Sequence, residues 1–190
     1  MRKSIGLASA SPRRRELLNQ LQQPFELIKI NVDEQINAGE AALDYVRRLA
    51  ISKAKAGAQQ VQNRLPVLGA DTIVVVDGEV LGKPHDKAHF IQMMHSLSGR
   101  QHQVHTAVAV IHGNQQLDVV VSTQVHFCVL TSAMLEAYWQ TGEPADKAGG
   151  YGIQGIGGKF VTRIDGSYSA VVGLPLYETE QLLLQIESIV

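Results

Sequence analysis

The segment Val67–Val76 constrains the fold more than any other part of this sequence. It is rich in β-branched residues, holds a single carboxylate, and is followed by Asp77-Gly78 and then by Glu79-Val80-Leu81. A short apolar run bounded by turn residues is typical of a buried strand, and Asp-Gly between two such runs is a strong hairpin signal. The sequence therefore predicts an antiparallel strand pair, which argues against a purely parallel sheet.

Helices and strands alternate along the rest of the chain. Helices are predicted at Pro12–Leu21, Ala41–Gln60, Asp86–Leu97, Thr131–Thr141 and Pro175–Ile189, and strands at Ile5–Ser9, Phe25–Ile30, Val104–Ile111 and Leu117–Leu130. A second hairpin is predicted for Lys159–Ile164 and Tyr168–Val172 across Asp165-Gly166. We expect a mixed α/β or α+β fold with a central mixed sheet, in one domain over residues 1–190 because no linker interrupts the pattern.

Composition restricts the partners. The 190 residues carry a net charge of -1, so there is no general field for a nucleic acid polymer or an anionic membrane, and any anion site must be local. No apolar run approaches the ~20 residues of a membrane span, and the N-terminal apolar stretch is shorter than a secretory signal needs. The one cysteine fits a reducing compartment. We expect a cytoplasmic protein.

The first candidate site is the turn from Leu7 to Arg15. Small residues there, Ser9 and Ser11 among them, precede Pro12, which suits the first position of a helix capped by Ser11. Unpaired N–H groups and the helix dipole favour an anion, and Arg13 and Arg14 can add bidentate contacts to a phosphate. The alternative is a capped surface helix with a solvated basic first turn.

Asp71 interrupts an otherwise apolar segment. An isolated buried carboxylate is costly unless it is paired, hydrogen-bonded or bound to metal. Asp71 can thus belong to a functional site, cap a neighbouring helix or pair with a core arginine, and the sequence does not distinguish between these interpretations.

Two lysines are further candidates. Lys53 lies on the apolar stripe of its helix with Leu43, Val46, Ala50, Ala54 and Gly57, whereas Lys55 faces away. Lys53 either extends along the apolar surface towards water or reaches a bound anion. Lys83, in the Lys83-Pro84 loop, is a weak candidate by itself.

The segment 146–158 contains six of the 17 glycines of the chain. Such density indicates backbone conformations that side chains would forbid, or close approach to a ligand. The match Gly150-x-Gly152-x-x-Gly155 is not a dinucleotide-binding motif, because no apolar strand precedes it and a strand-like run follows it. A tight structural turn is the alternative.

The histidines and the cysteine receive no role. His85 and His89 have helical spacing but lack a third ligand for zinc. His102, His105 and His126 are predicted on sheet surfaces, and Cys128 is predicted as a small core residue in a strand.

Taken in order, these motifs resemble the Maf family. The motifs are Leu7-Ala8-Ser9-Ala10-Ser11-Pro12-Arg13-Arg14, Val32-Asp33-Glu34, Leu49-Ala50-x-x-Lys53-Ala54, Gly69-Ala70-Asp71-Thr72, Gly82-Lys83-Pro84, Leu97-Ser98-Gly99, His105-Thr106, Lys147-Ala148-Gly149 and Gly173-Leu174-Pro175. Each motif is weak alone, whereas the ordered set covers nearly the whole chain and is highly specific. Ala10 stands where close relatives can have glycine.

The resemblance implies a two-lobed fold like that of inosine triphosphate pyrophosphatases, with a nucleotide in the cleft between the lobes, a divalent cation (Mg²⁺ or Mn²⁺) and a homodimer. Tyr151-Gly152-Ile153-Gln154-Gly155 resembles the subgroup that acts on dTTP and UTP rather than the one that acts on 7-methyl-GTP. Carried over to this sequence, Asp71 is the catalytic base, and Arg13, Thr72 and Gln154 govern substrate choice.

The reaction implied by the resemblance is nucleoside triphosphate hydrolysis to the monophosphate and pyrophosphate. Arg13, Arg14, Lys53 and Lys83 can balance the triphosphate charge, and Glu34 and Asp71 are hard oxygen ligands for the metal. Whether Asp71 acts as base, ligand or both is open. A 7-methyl-GTP pyrophosphatase and a nucleotide-sensing regulator of cell division without hydrolysis are the alternatives.

Overall fold

The computed structural model describes residues 2–189, in which strands and helices are interspersed. The strands are β1 (Ile5–Leu7), β2 (Phe25–Leu27), β3 (Val67–Val76), β4 (Glu79–Leu81), β5 (Gln101–His112), β6 (Gln115–Phe127) and β7 (Val161–Asp165). The α-helices are α1 (Pro12–Gln20), α2 (Ala42–Gln60), α3 (Lys87–Leu97), α4 (Ser132–Trp139), α5 (Tyr168–Val172) and α6 (Leu176–Ile189). Single 3₁₀ turns occur at Glu143–Asp146, Ala148–Gly150 and Ile156–Phe160.

The strands form one seven-stranded mixed sheet in the order β2-β1-β3-β5-β6-β7, with β4 paired to β3. β1 is parallel to both β2 and β3, whereas β4 is antiparallel to β3 and β7 to β6. Asp77 and Gly78 have φ angles of 51° and 82°, as a tight two-residue hairpin requires. The predictions of a mixed sheet and of the first hairpin are confirmed.

The chain separates into two compact units. The first comprises the residues up to Asp71, residues 106–121 and the residues from Gly173 onward, and the second comprises residues 72–105 and 122–172. The division falls within the long strands β3, β5 and β6, so each of these strands contributes to both units.

The core of the first unit is built where α2 lies on β3. A side chain at Gly69 would collide with the backbone of Ala54 and lie 2.5 Å from the carbonyl oxygen of Ala50, and one at Gly57 would lie 2.8 Å from Val67. The glycines thus let the helix backbone approach the strand directly. The predicted apolar stripe of α2 is confirmed except at Leu43, which is 48% exposed because the buried face begins at Val46.

The core of the second unit contains an aromatic cluster. Phe90, Tyr138 and Phe160 are fully buried. The rings of Tyr138 and Phe160 meet edge to face with their centroids 5.0 Å apart. Apolar residues of β3, α3, β5 and α4 pack around these rings, so the second unit has a hydrophobic centre of its own.

Several element boundaries match the sequence signals. Ser11, Asp86 and Thr131 cap α1, α3 and α4, each accepting a hydrogen bond from a backbone N–H of the first turn. β6 ends at Phe127, so the prediction of a strand to Leu130 was wrong at its end, and Cys128 lies just beyond the strand, half-buried beside the core of the second unit. Among the described residues no helix is long and apolar enough to cross a membrane.

The predicted second hairpin is wrong, because Tyr168–Val172 forms the short helix α5. Ser167 decides the local structure: its hydroxyl accepts a hydrogen bond from the Ala170 N–H at 3.2 Å, and its own N–H donates to the Thr123 hydroxyl at 3.0 Å. This cap and the anchor to β6 start a helical turn. They outweigh the strand propensity of the aromatic and β-branched residues that follow.

The histidine predictions also need correction. His102 and His105 are 2% and 4% exposed, so neither is a sheet-surface residue. The His102 Nε2 lies 2.7 Å from the Tyr151 hydroxyl, and the His105 Nδ1 lies 2.8 Å from the Ser122 hydroxyl. Each contact gives one nitrogen of its buried ring a hydrogen-bond partner, which offsets part of the cost of burial, whereas the Nδ1 of His102 is buried without a hydrogen-bond partner in the structure.

Candidate active site

A buried lysine joins two carboxylates in the first unit. The Lys53 Nζ lies 2.6 Å from Asp71 Oδ1 and 2.7 Å from Glu34 Oε1. Lys53 and Asp71 are 7% and 8% exposed, whereas the side chain of Glu34 is 58% exposed. The two carboxylates thus share one ammonium, and Asp71 is buried whereas the side chain of Glu34 is largely exposed.

The packing of α2 on β3 places Lys53 beside Asp71. Residues two apart on a strand point to the same face, so Asp71 faces α2 together with Gly69. Lys53 directly precedes Ala54, whose backbone lies against Gly69. The absence of a side chain at Gly69 therefore brings the ammonium into contact with the carboxylate. Of the readings left open for Asp71, pairing with a core cation is found, although the cation is a lysine and not an arginine.

Glu34 lies in the coil after β2, which α2 holds in place. The Tyr45 hydroxyl donates to the Glu34 carbonyl oxygen at 2.7 Å, and Arg48 donates to the Gln35 carbonyl oxygen at 2.9 Å. Arg48 also pairs with Glu40 at the end of the same coil. These contacts fix the backbone on both sides of the Glu34 carboxylate.

The turn after β1 lies next to Asp71. β1 and β3 are parallel, with Leu7 opposite Leu68, and the Ala8 N–H donates to the Leu68 carbonyl oxygen at 2.8 Å. The Ser9 hydroxyl, which is buried, accepts hydrogen bonds from the Ser11 N–H at 3.3 Å and from Arg14 Nη1 at 3.2 Å. Ligands of open α/β sheets bind at such carboxyl ends of strands.

Arg14 ties this turn to the start of the last helix. Its Nε donates to the Gly173 carbonyl oxygen at 2.8 Å, so the guanidinium is partly used inside the protein. Burial lowers the pKa of Arg14, while the negative charges of Asp71 and Glu34 raise it and Arg13 lowers it further. The carboxylates of Asp71 and Glu34 therefore balance part of the positive charge at the N-terminus of α1.

The structure brings Ser9, Ser11, Arg14, Lys53, Glu34 and Asp71 together in the first unit. Arg13 is half-buried in the first turn of α1 in the same unit. The remaining predicted residues belong to the second unit: Thr72, half-buried on β3; Lys83, exposed after β4; and Gln154, exposed in the glycine-rich loop.

The site includes two positions that were not predicted from the sequence as site residues. The Tyr45 hydroxyl holds the Glu34 backbone, and the signal available was its place eight residues before Lys53 on the same helix. Gly173 supplies the carbonyl acceptor for Arg14. It was quoted only as part of a motif, because a backbone acceptor leaves no side-chain pattern.

Glu34 and Asp71 are the residues that could hold a hard divalent cation. Mg²⁺ is commonly bound by one or two carboxylates plus substrate phosphates and water, and not by an all-protein cage. Glu34 and Asp71 provide two such oxygens around one ammonium. In the part of the chain that the structure describes, no group of three or more acidic, histidine or cysteine side chains is placed to hold a metal, so phosphate oxygens would have to complete the ligand set.

Comparison with known proteins decides the family. A sequence model of the family "Maf-like protein" matches residues 4–186. The chain is a member of the Maf family. The dTTP/UTP pyrophosphatase of Pseudoalteromonas atlantica is 57% identical over 181 residues, which are 93% of this chain and 94% of that protein. The dTTP/UTP pyrophosphatase of Yersinia pestis is 58% identical over 180 residues, covering 95% and 91%.

A solved structure agrees with the fold of this Maf protein. The Ham1 protein of Staphylococcus aureus superposes with a TM-score of 0.53 over 97% of this chain and 100% of that one, at 14% sequence identity. The resemblance to the Maf family and the expected fold class are therefore confirmed. At this identity the likeness speaks for the fold alone.

Proposed function

We propose that this Maf protein is a nucleoside triphosphate pyrophosphatase that hydrolyses dTTP and UTP to the monophosphate and pyrophosphate. The pair of carboxylates on the buried Lys53, beside the turn of Ser9 and Ser11, carries the reaction class. The substrate follows from relatives that bear the name dTTP/UTP pyrophosphatase and share 57% and 58% of their residues with this chain over nearly its whole length.

Asp71 is proposed as the base that takes a proton from the water attacking the α-phosphorus. A carboxylate that accepts this proton must be fixed within hydrogen-bond distance of the water. The ion pair to Lys53 at 2.6 Å holds Asp71 in one orientation. Lys53 also keeps Glu34 at its side, so we assign it the positioning of both carboxylates in addition to charge balance for the phosphates.

Glu34 and Asp71 are the proposed holders of a Mg²⁺ or Mn²⁺ ion. When bound, the ion would neutralise charge on the triphosphate as pyrophosphate departs. Arg13 and Arg14 of α1 and Lys83 are proposed to balance the remaining phosphate charge. Arg14 has less freedom for this than its neighbour, because Ser9 and Gly173 accept hydrogen bonds from its guanidinium.

Gln154 is proposed to read the base, and Thr72 to contribute to substrate choice. The amide of Gln154 has both a donor and an acceptor, which match the carbonyl–imino edge of uracil or thymine. The side chain is exposed, so its amide is accessible to solutes. An unpaired amide against the wrong base costs about 1–3 kcal/mol.

Quaternary structure and location complete the proposal. A homodimer and a cytoplasmic location are proposed from the family resemblance. The exposed apolar side chains of Tyr177 and Leu184, seven residues apart on α6 and 72% and 50% exposed, offer a face that a second copy can cover. Light scattering should give twice the chain mass of 20.7 kDa; the mass of one chain would contradict a dimer.

A nucleotide panel with product identification tests the proposal. Purified protein and Mg²⁺ are incubated with dTTP, UTP, CTP, GTP and 7-methyl-GTP. We expect monophosphate and pyrophosphate, with the highest kcat/KM for dTTP and UTP. A higher value for 7-methyl-GTP would reject the substrate, nucleoside diphosphate and phosphate would reject the reaction, and binding without turnover would indicate a nucleotide sensor.

A further inference from the structure

The glycine-rich loop of the second unit wraps around a carboxylate of the protein itself. Glu143 Oε2 accepts a hydrogen bond from the Ile156 N–H at 2.8 Å, and Oε1 accepts one from the Gly157 N–H at 3.0 Å. Backbone N–H groups in succession form the kind of concave site that binds anions. Here the anion is the side chain of Glu143, so these N–H groups are not available to a phosphate.

Tyr138 provides a second anchor for the same loop. Its hydroxyl donates to Glu143 Oε1 at 2.7 Å and accepts from the Gly152 N–H at 3.2 Å. The ring is fully buried in the aromatic core of the second unit, against Phe90 and Phe160. The anchor is therefore rigid, because the hydroxyl cannot move without displacing a packed ring.

Close approach to the two anchors explains Gly155 and Gly157. A side chain at Gly155 would collide with the Glu143 carboxylate, and one at Gly157 would lie 2.5 Å from the Tyr138 hydroxyl. A side chain at Gly152 would first meet the Lys147 side chain, at 2.7 Å, and would lie 3.3 Å from Glu143 Oε1. At Gly155 and Gly157 the backbone lies so close to Glu143 and Tyr138 that no side chain can be accommodated.

Gln154 lies between these anchored points. The Gly155 N–H donates to the Gly152 carbonyl oxygen at 3.2 Å, which makes residues 152–155 a β-turn with Gln154 at its third position. Tyr138 holds the first residue of the turn, and Glu143 holds the residue that follows it. The backbone that carries the Gln154 side chain is thus fixed on both sides by one pair of groups.

We propose that Glu143, together with Tyr138, is a positioning residue for nucleotide selection: it fixes the turn that presents Gln154 to the base. The inference rests on the proposed function, because it assigns Gln154 to base recognition. Burial alone would raise the pKa of Glu143, but hydrogen bonds from Tyr138 and from the Gly157 and Ile156 N–H groups lower it. The carboxylate is therefore ionised at neutral pH and accepts from all three donors.

The test compares selectivity for UTP over CTP, which differ at the base edge that Gln154 is proposed to read. In Glu143→Gln an amide N–H group faces backbone N–H groups, so the turn loses part of its support. We expect the ratio of the kcat/KM for UTP to that for CTP to fall about tenfold, the effect of losing roughly one hydrogen bond. Tyr138→Phe, which keeps the buried ring, should lower the ratio in the same direction.

Two further variants separate positioning from general damage. Glu136→Gln makes the same charge change in α4, where Glu136 pairs only with the surface residues Lys87 and Gln140 among the contacts described, and should keep the wild-type ratio. The double variant Glu143→Gln with Gln154→Ala should have the same UTP to CTP ratio as Gln154→Ala alone, because Glu143 acts through Gln154 and both substitutions remove the same contribution to selectivity.

The outcomes distinguish this inference from the proposed function. If the wild type cleaves neither dTTP nor UTP, the proposed function fails. If the wild type prefers UTP and both Glu143→Gln and Tyr138→Phe keep that preference, the positioning role is overturned. It is also overturned if the UTP to CTP ratio of the double variant falls by the product of the two single decreases. Should Glu143→Gln not fold, Tyr138→Phe decides by the same ratio.

Discussion

The carboxylate of Asp71 can be buried between β3 and α2 because the ammonium of Lys53 compensates its charge. Both residues are more than nine-tenths buried, and their charged atoms are 2.6 Å apart. Removing one member of a buried ion pair costs about 3–5 kcal/mol when the other charge is left alone. Here Glu34 also contacts the ammonium, so a change at Asp71 does not leave Lys53 without a partner.

Asp71→Asn therefore tests chemistry and not folding. The asparagine oxygen still accepts a hydrogen bond from Lys53, but the amide cannot take a proton from water. We expect kcat for dTTP to fall at least ~100-fold, with nucleotide affinity changed only slightly. Steady-state kinetics and calorimetric binding check this, with Asp118→Asn, whose carboxylate pairs with Arg47, as the control. Near-normal turnover of Asp71→Asn would remove it from the proposed role.

At the scale of elements, the contact between α2 and β3 depends on Gly69. A methyl group there would meet backbone atoms of α2 and not the end of a flexible side chain, so the helix would have to move. We expect Gly69→Ala to lower the free energy of unfolding by about 1–3 kcal/mol and to reduce turnover, since α2 carries Lys53.

Urea unfolding of Gly69→Ala is best compared with Gly82→Ala. Gly82 has open space where a side chain would be added and no unusual backbone angle, so its free energy of unfolding should stay near that of the wild type. Equal free energies of unfolding for the two variants would show that the backbone of α2 is not in close contact with β3 at Gly69.

Local signals predicted most of the elements. The caps Ser11, Asp86 and Thr131 and the Asp77-Gly78 turn act over a few residues, so the sequence shows them directly. The second hairpin failed because its outcome depends on Thr123, which is remote in sequence and anchors Ser167. Strand propensity is a weak guide where a tertiary contact competes with it.

The site was predictable as a set of anomalies but not as a set of contacts. Asp71 and Lys53 each stand out because a charge falls on an apolar pattern. That they meet each other follows from the approach of α2 to β3 at Gly69, which no pattern of spacing gives. Glu143 was not found, because its importance lies in backbone N–H groups that a sequence does not display.

At the scale of the whole molecule, stability should depend on pH through His102. Burial, and to a lesser extent the charge of His126, lowers its pKa from 6.5 to about 4. Between these two pH values the unfolded chain binds more protons than the folded one. The contribution of His102 to the free energy of unfolding is therefore greatest above pH 6.5 and falls as the pH drops towards 4.

His102→Gln should weaken this dependence, because the neutral amide can still meet the Tyr151 hydroxyl. Between pH 7 and pH 4.5 the wild type should lose about 2–3 kcal/mol more free energy of unfolding than the variant. Urea titrations at several pH values measure the two slopes, and carboxylates contribute equally to both proteins. Parallel curves would contradict a buried neutral histidine.

The fate of the water oxygen during hydrolysis tests the proposed reaction most directly. The proposed arrangement around Asp71 directs water to the α-phosphorus, with pyrophosphate as the leaving group. In water labelled with heavy oxygen, mass spectrometry of the products of dTTP should find the label in dTMP and none in pyrophosphate. Label in pyrophosphate, or dTDP and phosphate as products, would contradict attack of water at the α-phosphorus.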